Sequence, residues 1–162
     1  MQVVPDIKLA SAQDAQDIAA MSRDFIEQGL GWSWTTARVL RAIRDRSTNV
    51  AIAREGNITS THAGQLDTFA IMHYGDEAAH LSLLAVRPAA RRKGMATQLL
   101  AWLEHSARVA GIERIRLEVR ADNPQALAFY LHCGFVETAR VAGYYQGQID
   151  AMRFEKVLSL RA

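Results

Sequence analysis

Apolar residues alternate with polar ones in some stretches of the chain and recur every three to four residues in others, and the change of period divides it into elements. A short apolar start predicts a strand over residues 2–9. Ser11 and Asp14 are cap residues ahead of Ile18, Met21, Phe25 and Ile26, whose spacing predicts a helix over residues 12–28, broken by Gly29 and Gly31. Thr35 or Thr36 caps a second helix whose apolar stripe is Val39, Leu40 and Ile43, ending near Arg46. Residues 49–54 alternate as a strand, Glu55-Gly56-Asn57 is a turn signal, and the polar stretch 58–65 predicts a loop. Strands over 68–74 and 79–86 follow, joined at Gly75-Asp76-Glu77, with Pro88 ending the second.

In the second half, Leu99, Leu103 and Ala107, with Leu100 beside them, predict an amphipathic helix over 94–110 closed by Gly111. Ile115, Leu117 and Val119 alternate with Arg114, Arg116, Glu118 and Arg120, a strand with one buried and one charged face. Asn123-Pro124 is an N-cap with proline at the first helical position, and Gly134 is a stop signal, so a short helix lies between them. Residues 135–140 and 151–158 predict a final hairpin, with 143–148 as its connection. This order, without repeats or linkers, predicts one mixed α/β layer structure.

Composition narrows the partners. The chain has 162 residues, of which 49% are hydrophobic and 22% charged, and this suits one globular domain with its own core. A net charge of +2 is too slight to make nucleic acid the main partner. The single cysteine, Cys133, excludes an internal disulfide and multi-cysteine zinc patterns, so no metal is expected. No apolar run reaches the roughly 18 residues of a membrane span, and Pro5, Asp6 and Lys8 interrupt any signal-peptide layout. The expectation is a cytoplasmic protein without a membrane partner; its oligomeric state is left open.

Charge is distributed unevenly. No acid occurs between Glu77 and Glu104, while Arg87, Arg91, Arg92 and Lys93 fall just before the helix that starts at Gly94. A strand entering a glycine turn and then a helix offers unpaired backbone N–H groups and the positive end of the helix dipole to a phosphate. Gly94 and Ala96 are small enough for close approach of a ligand to the backbone. The spacing matches neither G-x-x-x-x-G-K-[ST] nor G-x-G-x-x-G, which removes the main support for nucleoside triphosphate and dinucleotide readings. The alternative is a solvated basic helix start.

Leu84-Ala85-Val86 followed by Arg91-Arg92-Lys93-Gly94-Met95-Ala96 resembles the R-x-x-G-x-[GA] acyl-CoA pyrophosphate loop of the GNAT superfamily of N-acyltransferases. Leu117-Glu118-Val119-Arg120-Ala121-Asp122-Asn123, with Ala126, Tyr130 and Gly134-Phe135 behind it, resembles the later half of the same cofactor site. Within the superfamily the resemblance is to the bacterial ribosomal-protein N-terminal alanine acetyltransferases, over roughly residues 79–154. It departs at Thr68-Phe69, where the family often has glycine before an aromatic, in the polar stretch 58–65, and around Trp32-Ser33-Trp34. The resemblance implies a single GNAT-like domain over residues 1–162: a mixed, mostly antiparallel central sheet flanked by helices. It also implies acetyl-CoA as acyl donor, with coenzyme A as product. Leu84, Ala85 and Val86 would pair with the pantetheine amides as an added strand does. Arg91, Arg92, Lys93, Gly94, Met95, Ala96 and Thr97 would hold the phosphates, and Asn123 would bond the pantetheine or simply cap its helix.

Acetyl transfer from a thioester to an amine needs a neutral amine, a polarised carbonyl and a proton for the departing thiolate. An α-amine titrates near ~8 and lysine near ~10.4, so a base must remove a proton as the amine attacks or before it. The resemblance places that base at Glu118, whose alternative role is to neutralise Arg116 and Arg120; His80 is the rival base. Tyr130 is the candidate acid at the leaving sulfur, and its alternative is a packed core tyrosine. Tyr144 and Tyr145 resemble a tyrosine pair over the acceptor site of N-terminal acetyltransferases, or form a plain hairpin pair. Trp32 and Trp34 would wall the same pocket or serve as ordinary packing. Cys133, with no His/Asn pattern around it, reads as a small hydrophobe, so direct transfer is expected rather than an acyl-cysteine route. The expected acceptor is a peptide or protein N-terminal α-amine. The alternatives are a small-molecule amine, or an acyl-CoA-binding module without turnover.

Overall fold

The computed structural model describes residues 5–54 and 66–159. The predicted turn at 55–57 and loop at 58–65 lie outside the described residues, as does the start of the first predicted strand. The described part of that strand is β1 (Asp6–Leu9). It is followed by α1 (Ala15–Phe25), α2 (Thr36–Arg44), β2 (Thr48–Arg54), β3 (Thr68–Tyr74) and β4 (Ala78–Val86). Then come α3 (Met95–Val109), β5 (Arg114–Arg120), α4 (Pro124–His132), β6 (Val136–Tyr145) and β7 (Ile149–Val157). The hydrogen-bonded strand order is β1-β2-β3-β4-β5-β7-β6. β1–β2, β2–β3, β5–β7 and β6–β7 are antiparallel and β4–β5 is parallel, so the sheet is mixed and mostly antiparallel.

Two compact units are present, Met1–His73 with Leu83–Leu103, and Tyr74–Ser82 with Glu104–Ala162; β3, β4 and α3 each have residues in both. In the first, α1 and α2 set Ile18, Met21 and Val39 against Val50, Ile52, Phe69, Ile71 and Leu83 of the strands, all of them buried. The helix predicted over 12–28 is shorter. Ser11 N donates to Asp14 Oδ2 at 2.8 Å over a 3-10 turn, and at the other end the Ser22 carbonyl accepts from both Ile26 and Glu27. That shared acceptor unwinds the helix ahead of Gly29, which sits at φ +76°. Thr35 is the cap of α2, accepting from Arg38 N.

In the second unit, β5 buries Ile115, Leu117 and Val119 and turns its charged residues to the other face, as the alternation predicts. The hairpin differs from expectation. β6 continues through the segment predicted as its connection, so Tyr144 and Tyr145 are strand residues, and Tyr145 pairs with Ile149. Gly143 explains this. At φ +63° it absorbs a register shift between Val141 and Tyr145, and its N–H donates to Asp150 Oδ1 at 3.0 Å.

One ion pair braces this unit. The Glu104 side chain on α3 is 9% exposed and receives Lys156 Nζ at 3.0 and 3.2 Å, and the same ammonium bonds the Cys133 carbonyl at 2.8 Å behind α4. Arg108 approaches Glu104 at 3.6 Å. Removing the ammonium leaves a desolvated carboxylate with only that longer contact. Lys156→Met is therefore expected to cost about 2 kcal/mol, a drop of roughly 4–8 °C in Tm, and adding Glu104→Gln should restore part of it. Thermal unfolding of both variants checks this.

Candidate functional site

In the first unit the chain leaves β4 through a 3-10 turn at Pro88–Ala90 and reaches α3 by the basic segment Arg91–Gly94. Ala90 and Met95 are buried with Ala53, against Ile7 and Val86, and so pin both ends of the segment. The Met95 side chain is therefore core, and only its backbone is available to a ligand. Arg87 Nε donates to the Leu66 carbonyl at 2.8 Å and Arg91 Nε to the Val86 carbonyl at 2.9 Å, so two of the four bases hold the loop in shape. Arg92 is exposed and sits at φ +65°, and Gly94 sits at φ +79°. A non-glycine residue in the left-handed region costs of order 1 kcal/mol, and alternating handedness of this kind makes concave rows of amide donors. The first-turn N–H groups of α3, at Met95, Ala96 and Thr97, have no acceptor within their own helix. Amide donors exposed in this way are of the kind that suits an anion.

Leu84, Ala85 and Val86 lie at the end of β4 that leads into this loop, Ala85 buried and the other two half-buried. The Ala85 carbonyl accepts from Thr68 Oγ1 at 2.7 Å. Thr68, a departure from the family pattern, is thus fully buried and tied to β4.

A carboxylate organises the segment after α1 in the same unit. Glu27 accepts from Ser22 Oγ at 2.9 Å, Ser33 N at 2.7 Å and Ser33 Oγ at 2.6 Å, with Trp34 N near both of its oxygens. Trp32 Nε1 donates to the Ala19 carbonyl at 3.2 Å, and Arg38 stacks 3.8 Å over the Trp34 ring. Both tryptophans therefore have structural partners on α1 and α2. Burial alone would raise the Glu27 carboxyl, but the bonds from Ser33, Ser22 and Trp34 outweigh it and hold the group below its ordinary value. A depressed carboxyl stabilises the fold above its unfolded value, near ~4.3, and that stability is lost as pH falls through the folded value. Acid unfolding of Glu27→Gln should accordingly show a shallower loss of stability below about pH 5 than the parent.

The second unit gathers a cluster around Glu118, whose side chain is 8% exposed. His80 Nε2 lies 2.6 Å from Oε1, the Tyr144 hydroxyl donates to Oε1 at 3.1 Å, and Arg153 Nε donates to Oε2 at 2.9 Å. Ser82 Oγ is 3.3 Å from His80 Nδ1. Burial pushes the Glu118 carboxyl up, but the bonds from His80 and Arg153, the His80 charge and the Tyr144 hydroxyl together bring it down to about 2. Of its strand neighbours, Arg116 pairs with Glu155 at 2.7 Å and Arg120 with Asp122 at 3.0 Å. Its ion-pair partner is Arg153, which faces it in the β5–β7 register.

Tyr130 on α4 is buried, edge-on to Phe129 and Phe135 with ring centroids 5.1 and 5.5 Å away and tilted against Phe154. Burial pushes its hydroxyl, and that of Tyr145, well above the usual phenol range. Tyr145 stands edge-on to Tyr144 at 4.9 Å. Asn123 caps α4, its Oδ1 accepting from Ala126 N at 3.1 Å. Burial also pushes the Cys133 thiol up.

The structure thus joins Glu118 with His80 and Tyr144, and leaves Trp32 and Trp34 in the other unit with Glu27. Sequence reasoning missed Arg153, Ser82 and Glu27. The signal for Arg153 was available: Arg116-Glu118 on one strand and Arg153-Glu155 on the other are charge-complementary when paired antiparallel.

The chain belongs to the acetyltransferase (GNAT) family, whose model matches residues 17–135, and it is an acyltransferase. It is 34% identical over 99 residues to the [ribosomal protein bS18]-alanine N-acetyltransferase of Escherichia coli (strain K12), covering 59% of this chain and 67% of that protein. The crystal structure of Ard1 from Thermoplasma volcanium superposes with a TM-score of 0.81 at 25% identity, covering 97% of this chain and 99% of that one. Arabidopsis thaliana NAA60 in complex with acetyl-CoA shares the fold, with a TM-score of 0.80 at 17% identity over 95% of this chain and 98% of that one. Among the described residues no helix is long and apolar enough to cross a membrane.

Proposed function

We propose that the protein is an acetyl-CoA-dependent N-acetyltransferase whose acceptor is the α-amine of a peptide or protein N-terminus. Acetyl-CoA supplies an acetyl group activated as a thioester. The backbone of Gly94, Met95, Ala96 and Thr97 holds the pyrophosphate, with Arg91, Arg92 and Lys93 contributing charge and the Leu84–Val86 segment bordering the pantetheine. Tyr130 donates to the leaving sulfur. The Glu118 cluster handles the amine proton, and Tyr144 and Tyr145 border the acceptor.

The convergence of His80, Arg153 and Tyr144 on one buried carboxylate carries this reading, because it gathers groups able to take up and hand on a proton at one place on the sheet. The relative that modifies the bS18 alanine supports an α-amine acceptor. A competition assay tests it: a peptide with a free N-terminus, a peptide blocked there with a free lysine, and a polyamine, offered at equal concentration. The free N-terminus should react fastest, since far more of it is neutral at pH 7 to 8 than of a lysine side chain. Faster acetylation of the lysine or polyamine would move the protein to another acceptor class.

A further inference from the structure

We propose that Arg38, Arg41 and Arg44 on α2 form a docking surface for a run of Asp and Glu residues in the acceptor polypeptide, downstream of the nitrogen that is acetylated. The inference rests on the acetyltransferase reading and narrows its acceptor class.

The surface follows from the helix period. Val39 is buried, and Leu40, Ala42 and Ile43 pack against the same core, so that face of α2 is taken up by the fold. Arg38, Arg41 and Arg44 recur every three residues on the opposite face, and all three are exposed. They form a ridge that climbs ~9 Å along the helix. Like charges three residues apart oppose the helix that carries them, and an anionic partner relieves that repulsion.

The ridge has no acidic partner of its own. No acid occurs between Glu27 and Asp45, and both of these are engaged elsewhere. Glu27 is held by Ser22, Ser33 and Trp34 N, and Asp45 accepts from Ser47 N and Thr48 Oγ1, each at 2.9 Å. Asp24 on α1 is bound to Arg23. Among the described residues no carboxylate pairs with any of the three arginines.

One end of the ridge is pre-organised. Arg38 stacks 3.8 Å over the Trp34 ring, which fixes the guanidinium and leaves its edge N–H donors directed outward for a carboxylate. Arginine clusters of this kind recognise acidic motifs through charge-assisted, bidentate bonds.

The size of the ridge favours a polypeptide over a nucleic acid. Nucleic-acid sites typically neutralise roughly 6–10 phosphates across a broad positive field. Here the net charge is +2, and the ridge is three cations long with Asp45 next to its last one. Two carboxylates on one face of an extended run, ~7 Å apart, fall within it.

The test uses two peptides with the same free N-terminal residues and a Gly-Ser spacer of about 12 residues, one ending in an acidic run and the other in its Gln/Asn counterpart. At low salt the parent should acetylate both with equal kcat, but with a KM about tenfold lower for the acidic peptide. The difference should fall to about twofold near ~0.5 M salt. In Arg38→Gln/Arg41→Gln/Arg44→Gln the two KM values should coincide, while turnover of the neutral peptide, coenzyme A affinity and thermal unfolding stay at parent values. If that variant misfolds, Arg41→Gln/Arg44→Gln replaces it and should cut the preference to about threefold. Equal KM values for the two peptides in the parent, or an acidic preference that survives in a folded variant, overturns the proposal. So does a single-stranded RNA oligomer that, at equal negative charge, displaces a fluorescently labelled, N-terminally blocked acidic peptide better than the unlabelled peptide does, because the ridge would then serve nucleic acid. A parent protein that acetylates neither peptide overturns the acetyltransferase reading instead. Fluorescence anisotropy of the blocked peptide then reads docking without turnover: binding about tenfold weaker in the variant supports the ridge, and equal binding overturns it.

Discussion

Gly94→Val is expected to abolish measurable coenzyme A binding while the protein still folds. Two independent reasons lead there. Gly94 sits at φ +79°, where a β-branched residue is strongly disfavoured, so valine pulls the segment into another conformation and disperses the amide donors ahead of α3. Any side chain there also stands between the helix N-terminus and a phosphate, which must approach the backbone closely for its N–H groups and dipole to act. The combined loss is expected to exceed about 100-fold in affinity. The fold survives because Ala90 and Met95 anchor the segment from both sides in their own small cluster. Arg92→Ala should cost much less, about tenfold or under, and its deficit should shrink as salt rises. Calorimetric titration of both variants decides between them, and unchanged affinity in Gly94→Val would remove the loop from the cofactor site.

Tyr130→Phe is the second large effect, about a 10²-fold fall in kcat with coenzyme A affinity preserved. The ring's packing against Phe129, Phe135 and Phe154 is retained by phenylalanine, so stability should change by no more than about 1 kcal/mol. What disappears is one hydroxyl. Burial holds that hydroxyl above the usual phenol range, so it carries its proton throughout the assay range and acts on the departing sulfur as a hydrogen-bond donor. Parent-level turnover, or loss of the fold, would show that Tyr130 serves packing alone. Steady-state kinetics beside thermal unfolding separates these outcomes.

The two halves of the chemistry differed in how far they could be read from the sequence. The basic glycine turn is local: strand, turn, basic run and helix start are contiguous, and β4 and α3 flank it as the sequence predicts. α4 was legible for the same reason, because Asn123, Pro124 and Gly134 are short-range signals. The Glu118 cluster was only half legible. Glu118, His80 and Tyr144 stood out singly, but their meeting depends on a parallel β4–β5 register and on an antiparallel β5–β7 register that brings in Arg153, and neither is written in any one segment. Glu27 was missed because a glutamate near a helix end looks solvated until a loop six residues on folds back to donate to it. The end of β6 was misread for a converse reason. Gly143 is a turn signal in isolation, yet here it makes a bulge that lets Tyr144 and Tyr145 remain in the strand.

The most direct measurement is tandem mass spectrometry of one peptide carrying both a free N-terminus and an internal lysine, after incubation with the protein and isotopically labelled acetyl-CoA. The account predicts one labelled acetyl group on the N-terminal nitrogen, formed at a rate that depends on the protein and on Tyr130. Label on the lysine side chain, or a peptide left unlabelled while a small amine in the same tube is acetylated, would contradict it.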